Sequence, residues 1–466
     1  MDAVEEIRGR LNIEDVVGEY VALKRAGRNY KGLSPFGNEK TPSFIVSPEK
    51  QIWHDFSSGK GGDMFSFVME MEGLDFKAAL ELLARRAGID LDQFKGRSGG
   101  NAELKERLRK ALALAAKFYQ VQFSRHKIAL DYVLHQRKFT KETALTFLLG
   151  YAPNNGTALY DFMKKQEFTD DELKKAGLIT RRYNGVGDMF RGRLMIPLQD
   201  SMGSVIGFTA RQLEDTPSAP KYINTPATLL YDKSRHVYGL HLAKDQIRRT
   251  GFAVLVEGNL DVIASHQAKV SNVVATAGTA LTEAHLKAIS RFAGDIRLSF
   301  DADKAGVAAT ERAIPIASKV GVSLHIVTLP EGKDPDELIK NKPGAWEKAI
   351  EKPYYAVDWL IDRYKHQYDI TSGQGKRQFS DKMLPTIRAL KDPVEQDHYL
   401  HEIADLTGVS VEALNTKFKA DDNTKPLRKR NMADQVQNSR MQLEWAKTQD
   451  HLLALALMRP DLRDQL

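Results

Sequence analysis

The stretch FAVLVEGNLD, residues 252–261, reads as an apolar β-strand whose carboxyl end carries Glu257, followed at once by Gly258. DIRLSFDADKAG, residues 295–306, repeats the design and ends its strand in Asp301 and Asp303. Residues two apart on extended chain project to the same side, so both aspartates can face one point. NVVAT (272–276) and SLHIVTL (323–329) are further strand-like runs, and helical stretches alternate with all of them. Such alternation predicts a parallel sheet in an α/β domain, with ligands in the crevice beyond the strands' carboxyl ends. A third acidic group, Asp334 and Asp336 in PEGKDPDEL (330–338), follows SLHIVTL. Pro335 keeps Asp334 out of helical geometry, so an extended, forward-facing pair is expected.

Converging carboxylates repel and raise one another's pKa unless a cation neutralises them. Hard oxygen donors without His or Cys select Mg²⁺ or Mn²⁺ over zinc, and Mg²⁺ held by carboxylates and substrate phosphates suits phosphoryl or nucleotidyl transfer. The competing reading is that these are turn acids that merely solvate loops.

Composition bounds the rest. The chain has 466 residues, 42% hydrophobic and 28% charged, which suits several soluble domains. Its net charge of +7, from 68 Lys/Arg and 61 Asp/Glu, suits a polyanionic partner. Cysteine is absent, which excludes disulfides, thiolate zinc sites, iron–sulfur clusters and a cysteine nucleophile. No apolar run approaches the roughly 18 residues of a membrane helix. MDAVEEIRGR offers no signal peptide, so a cytoplasmic protein is expected. Breaks fall at GRSGGN (96–101), near Gly251, and in the polar stretch 420–440. No internal repeat is present.

EGNLDV (257–262), ATAGTALTEAHLKAI (275–289), SFDADKAGVAATERAI (299–314) and LPEGKDPDEL (329–338) resemble, in order and spacing, the Toprim domain of DnaG-type bacterial primases. The resemblance implies that Glu257, Asp301 and Asp303 are metal-binding catalytic acids and that Asp261, Asp334 and Asp336 complete the acidic patch. Toprim also serves topoisomerases and nucleases, and the preceding region discriminates. DMFRGRLMIPLQDSMGSVIGFTARQLED (188–215) and APKYINTPATLLYDKSRHVYGL (219–240) resemble the amino-terminal half of the primase polymerase core. Nine Lys/Arg face six Asp/Glu between Asp188 and Arg249. Arg191 and Arg193 are expected to alternate on a strand and share a face, with Arg211, Lys221 and Lys233 in turn-rich stretches. By resemblance, Arg191, Arg193, Arg211, Lys221, Tyr222, Asn224 and Lys233 hold template and incoming triphosphates. In 108–179 the aliphatics recur at helical spacing and read as core.

Residues 13–76 resemble the zinc-binding domain of these primases, but the family's Cys-x-x-His and Cys-x-x-Cys positions read Ser34, Gly37, Asp55 and Ser58. His54 is near but is not one of the four. That set is no tetrahedral zinc site. Structural zinc contributes on the order of 10 kcal/mol to such domains, so another source of stability is required. A metal-free folded ribbon is expected, its core drawn from Phe36, Phe44, Ile45, Trp53, Phe56, Phe65 and Phe67, with Ser34, Asp55 and Ser58 hydrogen-bonded across the former site. The rival is decay into a loosely folded appendage. Lys24, Arg25, Arg28, Lys31, Lys40 and Lys60 give this domain phosphate-binding capacity.

The expected fold is multidomain, α+β and α/β. A zinc-ribbon-like template-reading domain without metal ligands (1–97) and a linker (98–102) precede a mixed α+β polymerase lobe (103–250). A Toprim parallel-sheet domain (251–345), a helical subdomain (346–420) and a linker (421–440) follow. The last part, 441–466, reads as the start of a helicase-binding domain in which the chain stops. The function implied is DNA primase: template-directed synthesis of short RNA primers on single-stranded DNA from ribonucleoside triphosphates with Mg²⁺ or Mn²⁺. A replicative helicase is the partner, and the protein is a monomer without membrane association. A Toprim nuclease or topoisomerase-like enzyme, and a non-catalytic single-strand-binding, helicase-recruiting module, are the alternatives.

Overall fold

A computed structural model describes residues 3–37, 39–89, 91, 99–182, 185–214, 219–300, 304–329 and 334–420. The chain divides into two units, Met1–Tyr368 with Ala389–Lys391, and Asp369–Arg388 with Asp392–Leu466. The stretches read as a second linker (421–440) and a helicase-binding start (441–466) lie outside the described residues.

The first unit opens with a five-stranded antiparallel sheet in chain order: β1 (Lys24–Ala26), β2 (Asn29–Gly32), β3 (Phe44–Ser47), β4 (Ile52–Asp55) and β5 (Gly61–Gly62). β4 alternates strictly, with Ile52 and His54 exposed and Trp53 and Asp55 buried. That period-two pattern turns one face onto the helices Ile13–Gly18 and Met64–Glu72. Trp53 stacks on Phe44 at 5.4 Å and meets Phe67 edge-on at 5.5 Å, and all three are buried. Phe65 is buried as expected, and Phe36 and Ile45 are half-buried. Phe56 is 66% exposed and leaves the expected core, because it lies in the turn beyond β4, where the alternation has ended.

The helix Gly99–Arg125 begins inside the Gly/Ser stretch read as a linker. It packs on a four-stranded antiparallel sheet made of β6 (Gly150–Ala152), β9 (Arg193–Gln199), β10 (Val205–Gln212) and β11 (Tyr222–Asn224), in the order β11-β10-β9-β6. A hairpin, β7 (Ile179–Arg182) and β8 (Gly185–Asp188), stands apart.

β12 (Phe252–Val256), β13 (Val273–Ala275), β14 (Asp295–Ser299) and β15 (Ser323–Ile326) form the expected parallel sheet in the order β13-β12-β14-β15. β16 (Tyr354–Tyr355) adds an antiparallel edge. Residues 253–256 are all buried, as a strand covered on both faces requires. Helix Leu240–Thr250 joins this domain to the amino-terminal one. Its Lys244 pairs with the buried Glu72, and Arg248 Nη2 donates to the Glu70 carbonyl at 2.9 Å.

In the second unit, helices Gly373–Arg388, Pro393–Thr407 and Val411–Ala420 bury Phe379, Met383, Ile387, Leu400 and Ile403.

Candidate active site

Val256, the last residue of β12, lies in register with Ser299, the last of β14. Glu257 therefore leaves the sheet beside the chain emerging from β14, and it is exposed. Asp301 and Asp303 lie outside the described residues. Gly258 opens the helix Asn259–Gln267, and a Cβ there would stand 2.6 Å from Asp261 Oδ2. Its φ of −107° shows that close approach, not backbone freedom, demands glycine. Gly258→Ala is expected to displace the Asp261 carboxylate and cut any activity that depends on this acidic site at least about tenfold with little change in melting temperature, a comparison made by activity assay and thermal unfolding.

Asp261 sits in that helix's first turn, and burial followed by the charges of Asp334 and Asp336 pushes its carboxyl up to about 7. Asp334 is extended, as expected from Pro335, and caps the helix Pro335–Asn341 by accepting from Glu337 N at 2.7 Å. The forward-facing pair does not form. Proline's fixed φ suits the first helical position, so Asp336 enters the helix. There it is buried against Arg137 and against Lys340 Nζ, 2.6 Å away.

Asp261, Asp334 and Asp336 bring carboxylate oxygens together here, and burial is the main cause of Asp261's raised pKa, with the charges of Asp334 and Asp336 adding to it. Ser299 Oγ is buried there without a partner. The donor chemistry fits Mg²⁺ or Mn²⁺. Among the described residues no group of three His, Cys, Asp or Glu is arranged to hold a metal ion.

The basic strip departs from the expected strand. Arg191 precedes β9 and is exposed, Gly192 takes φ 61°, and Arg193 is buried at the strand's first position. The left-handed glycine breaks the alternation, yet both arginines line one cavity of about 210 Å³ with His126, Tyr151 and Asn154. Arg193 Nη1 reaches the carbonyls of Ala210 and Lys221 at 3.4 and 3.3 Å. Arg211 lies in β10 rather than a turn, opposite Tyr222 of β11, and donates to its hydroxyl. Thr209 faces Asn224 in the same register. Side chains two apart share a face, so Thr209 and Arg211, with Tyr222 and Asn224, make one surface. Asn259 Nδ2 donates to Thr209 Oγ1 at 3.1 Å, which brings that surface to within two residues of Glu257. Lys221 is exposed before β11, and Lys233 lies in a turn where its carbonyl meets His285 Nε2 at 3.2 Å.

Sequence reasoning missed Asn259, Thr209, His126, Tyr151, Tyr132 and Arg137. Only tertiary contact reveals them: Asn259 and Thr209 lie inside quoted motifs without a role, and His126, Tyr151, Tyr132 and Arg137 lie in the stretch 108–179 that reads as core.

In the amino-terminal domain three of the four former ligand positions meet. Asp55, fully buried, accepts from Ser34 Oγ at 2.8 Å and from Ser58 Oγ at 2.5 Å. Ser57 and Ser43, both unforeseen, add hydroxyl bonds at 3.0 and 3.2 Å. Gly37 is exposed and contributes nothing to this group. Burial alone would raise the Asp55 carboxyl, but the hydroxyls of Ser58, Ser34, Ser57 and Ser43 outweigh it and hold the pKa below the usual range. The domain is a packed ribbon built around a hydrogen-bonded carboxylate, not a loose appendage.

A Toprim-type sheet with acids beyond its strand ends, joined to an antiparallel lobe bearing a basic and aromatic surface, defines a nucleic-acid enzyme class. Family models match the chain as CHC2 zinc finger (1–98), DNA primase catalytic core, N-terminal domain (118–244), Toprim-like (254–339) and DnaB-helicase binding domain of primase (357–412). The last match lies upstream of the 441–466 segment to which the sequence reading gave that role. The DNA primase of Geobacillus stearothermophilus is 39% identical over 91% of this chain and 72% of its own length. That of Clostridium acetobutylicum is 35% identical over 100% and 78%. The crystal structure of the zinc-binding and RNA polymerase domains of Aquifex aeolicus primase matches with TM-score 0.59 at 33% identity, covering 90% of this chain and 100% of that one. A DnaG primase catalytic domain bound to single-stranded DNA matches with TM-score 0.59 at 27% identity, over 67% and 99%. The chain belongs to the DnaG-type family of bacterial DNA primases.

Proposed function

We propose that the chain polymerises ribonucleoside triphosphates on a single-stranded DNA template, a nucleotidyltransferase making short RNA primers. The observation that carries this is the Asn259–Thr209 contact, which joins the Arg211–Tyr222–Asn224 surface to the Glu257 end of the parallel sheet. The bound single strand in the related catalytic domain supports it.

Arg191, Arg211, Lys221 and Lys233 offset phosphate charge, Tyr222 offers a 40%-exposed ring for base stacking, and Asn224 supplies a directional donor and acceptor. Glu257, Asp301 and Asp303, with Asp261 and Asp334, would hold the divalent cation, which when bound supplies charge neutralisation at the reacting α-phosphate. Asp336 pairs with Arg137 and Lys340 through Oδ2, while its buried Oδ1 has no partner among the described residues and completes the acidic set for the cation. The chain's own contribution is positioning: it holds a 3′-hydroxyl against the α-phosphate and offsets the charge of departing pyrophosphate with Arg and Lys. No protein nucleophile is required. The helicase-domain match supports a replicative helicase as partner and action at the replication fork, and we read the protein as a cytoplasmic monomer there. Among the described residues no helix is long and apolar enough to cross a membrane. Incorporation of labelled ribonucleotides is expected to require both single-stranded DNA and Mg²⁺ or Mn²⁺, and incorporation without template would overturn the proposal.

A further inference from the structure

Residues Tyr132–Gln136 form a π-helical turn, closed by Arg137 N donating to Tyr132 O at 2.8 Å. Such turns are rare, and they reset the direction of the side chains that follow. Here the turn folds Arg137 back onto Tyr132: its guanidinium carbon stands 5.4 Å from the ring centre, and Nε donates to the phenol oxygen at 2.7 Å. The same ring carries a second cation. The guanidinium carbon of Arg211 lies 5.2 Å from the Tyr132 centroid and 5.3 Å from that of Tyr222. Arg137 continues to Asp336. An unbroken chain Asp336–Arg137–Tyr132–Arg211–Tyr222 therefore runs from the acidic patch of the parallel-sheet domain to the antiparallel lobe.

Two guanidinium groups on one ring repel each other, and two features offset this. The ring's quadrupole attracts both, more strongly because Tyr132 is only 8% exposed, and the Asp336 carboxylate neutralises Arg137. Arg211 would otherwise be a long flexible side chain with several rotamers. Its Nε is buried without a partner, so this side chain is not held by a full set of hydrogen bonds.

We propose that Tyr132 is a positioning residue for ribonucleotide binding: its ring fixes the orientation of Arg211 and, through Arg137, ties that orientation to Asp336. This rests on the reading of Arg211 as a triphosphate-holding residue. The test uses the full chain and measures primer synthesis against ribonucleotide concentration, single-strand affinity and thermal unfolding. Tyr132→Met keeps an apolar filler of similar length but removes the ring; it is expected to raise the ribonucleotide KM at least fivefold, with kcat and single-strand affinity within twofold of the parent. Tyr132→Phe keeps the ring under Arg211 but removes the phenol oxygen that accepts from Arg137 Nε, and is expected to raise KM by about two- to threefold, clearly less than Tyr132→Met. Unchanged KM in Tyr132→Met overturns the proposal, as do equal defects in the two variants, or a Met defect in which kcat falls with stability while KM stays put. If Tyr132→Met does not fold, Arg137→Lys carries the test: losing the planar fork should also raise KM, and an unaltered KM refutes the link. Arg211→Ala separates the two readings. A parent enzyme that makes RNA with an Arg211→Ala KM equal to its own removes the Arg211 assignment and the proposal together. A raised KM in Arg211→Ala beside a normal Tyr132→Met removes the proposal alone.

Discussion

Glu257→Gln is expected to reduce primer synthesis by at least about 10²-fold while leaving single-strand binding within about twofold. The substitution is nearly isosteric and Glu257 is exposed at the end of β12, so folding has little to lose. What it removes is one full negative charge at the point where the parallel strands deliver their acids. The strip proposed to meet DNA lies on other strands, β10 and β11, and keeps its arginine, tyrosine and asparagine. Asp301→Asn should behave alike. Incorporation assays paired with fluorescence binding to a labelled oligonucleotide decide the matter. Parallel losses of synthesis and binding would mean that Glu257 supports the fold or the template instead of the chemistry.

Asp55→Ala is expected to destabilise the amino-terminal domain by about 3 kcal/mol, because it strands the buried Ser34 hydroxyl and removes a fully buried carboxylate that also accepts from the exposed Ser57 and Ser58. That equals somewhat more than 10²-fold in the opening equilibrium, readable as faster hydrogen exchange at Phe44, Val46 and Trp53 in the full chain. Asp55→Asn, which keeps one acceptor, should cost about half as much. The folded Asp55 pKa lies below the unfolded value of about 3.9, so its contribution is complete above that pH. It fades as pH falls through 4 toward the folded pKa. Exchange at these amides should therefore show no extra loss of stability from Asp55 between neutrality and about pH 4, then a loss below it that Asp55→Ala lacks. A chelator should leave the melting of the parent protein unaltered, and chelator-sensitive melting would return the domain to the metal-dependent class.

The parallel sheet was legible because 252–256 reads as an unbroken apolar run buried from 253 on, while 295–299 sets the buried Ile296 and Leu298 between Asp295, Arg297 and Ser299 and feeds directly into the acids. Glu257 was legible for the same reason, since a charge that ends such a run has one place to go. The helical position of Asp336 was not, although Pro335 signals a helix start as readily as an extended residue before it. Arg193's burial also escaped the reading, because strand periodicity carries across Gly192 on paper but not through its positive φ. Phe56 was assigned to the core by type, and its exposure follows from lying past the last paired residue of β4. The Asp55 cluster was half visible: Ser34 and Ser58 came from ligand positions, whereas Ser43 and Ser57 arrive only through the fold. Contacts between distant segments, Asn259 with Thr209 or Arg137 with Asp336, leave no periodic trace in a single sequence.

The most direct measurement supplies the purified chain with single-stranded DNA of defined sequence, labelled ribonucleoside triphosphates and Mg²⁺, then sequences the products. The account predicts short RNA complementary to the template, absent when Glu257 is replaced by Gln. RNA unrelated to the template, equal yield from Glu257→Gln, or cleavage of the DNA with no nucleotide incorporated would contradict it.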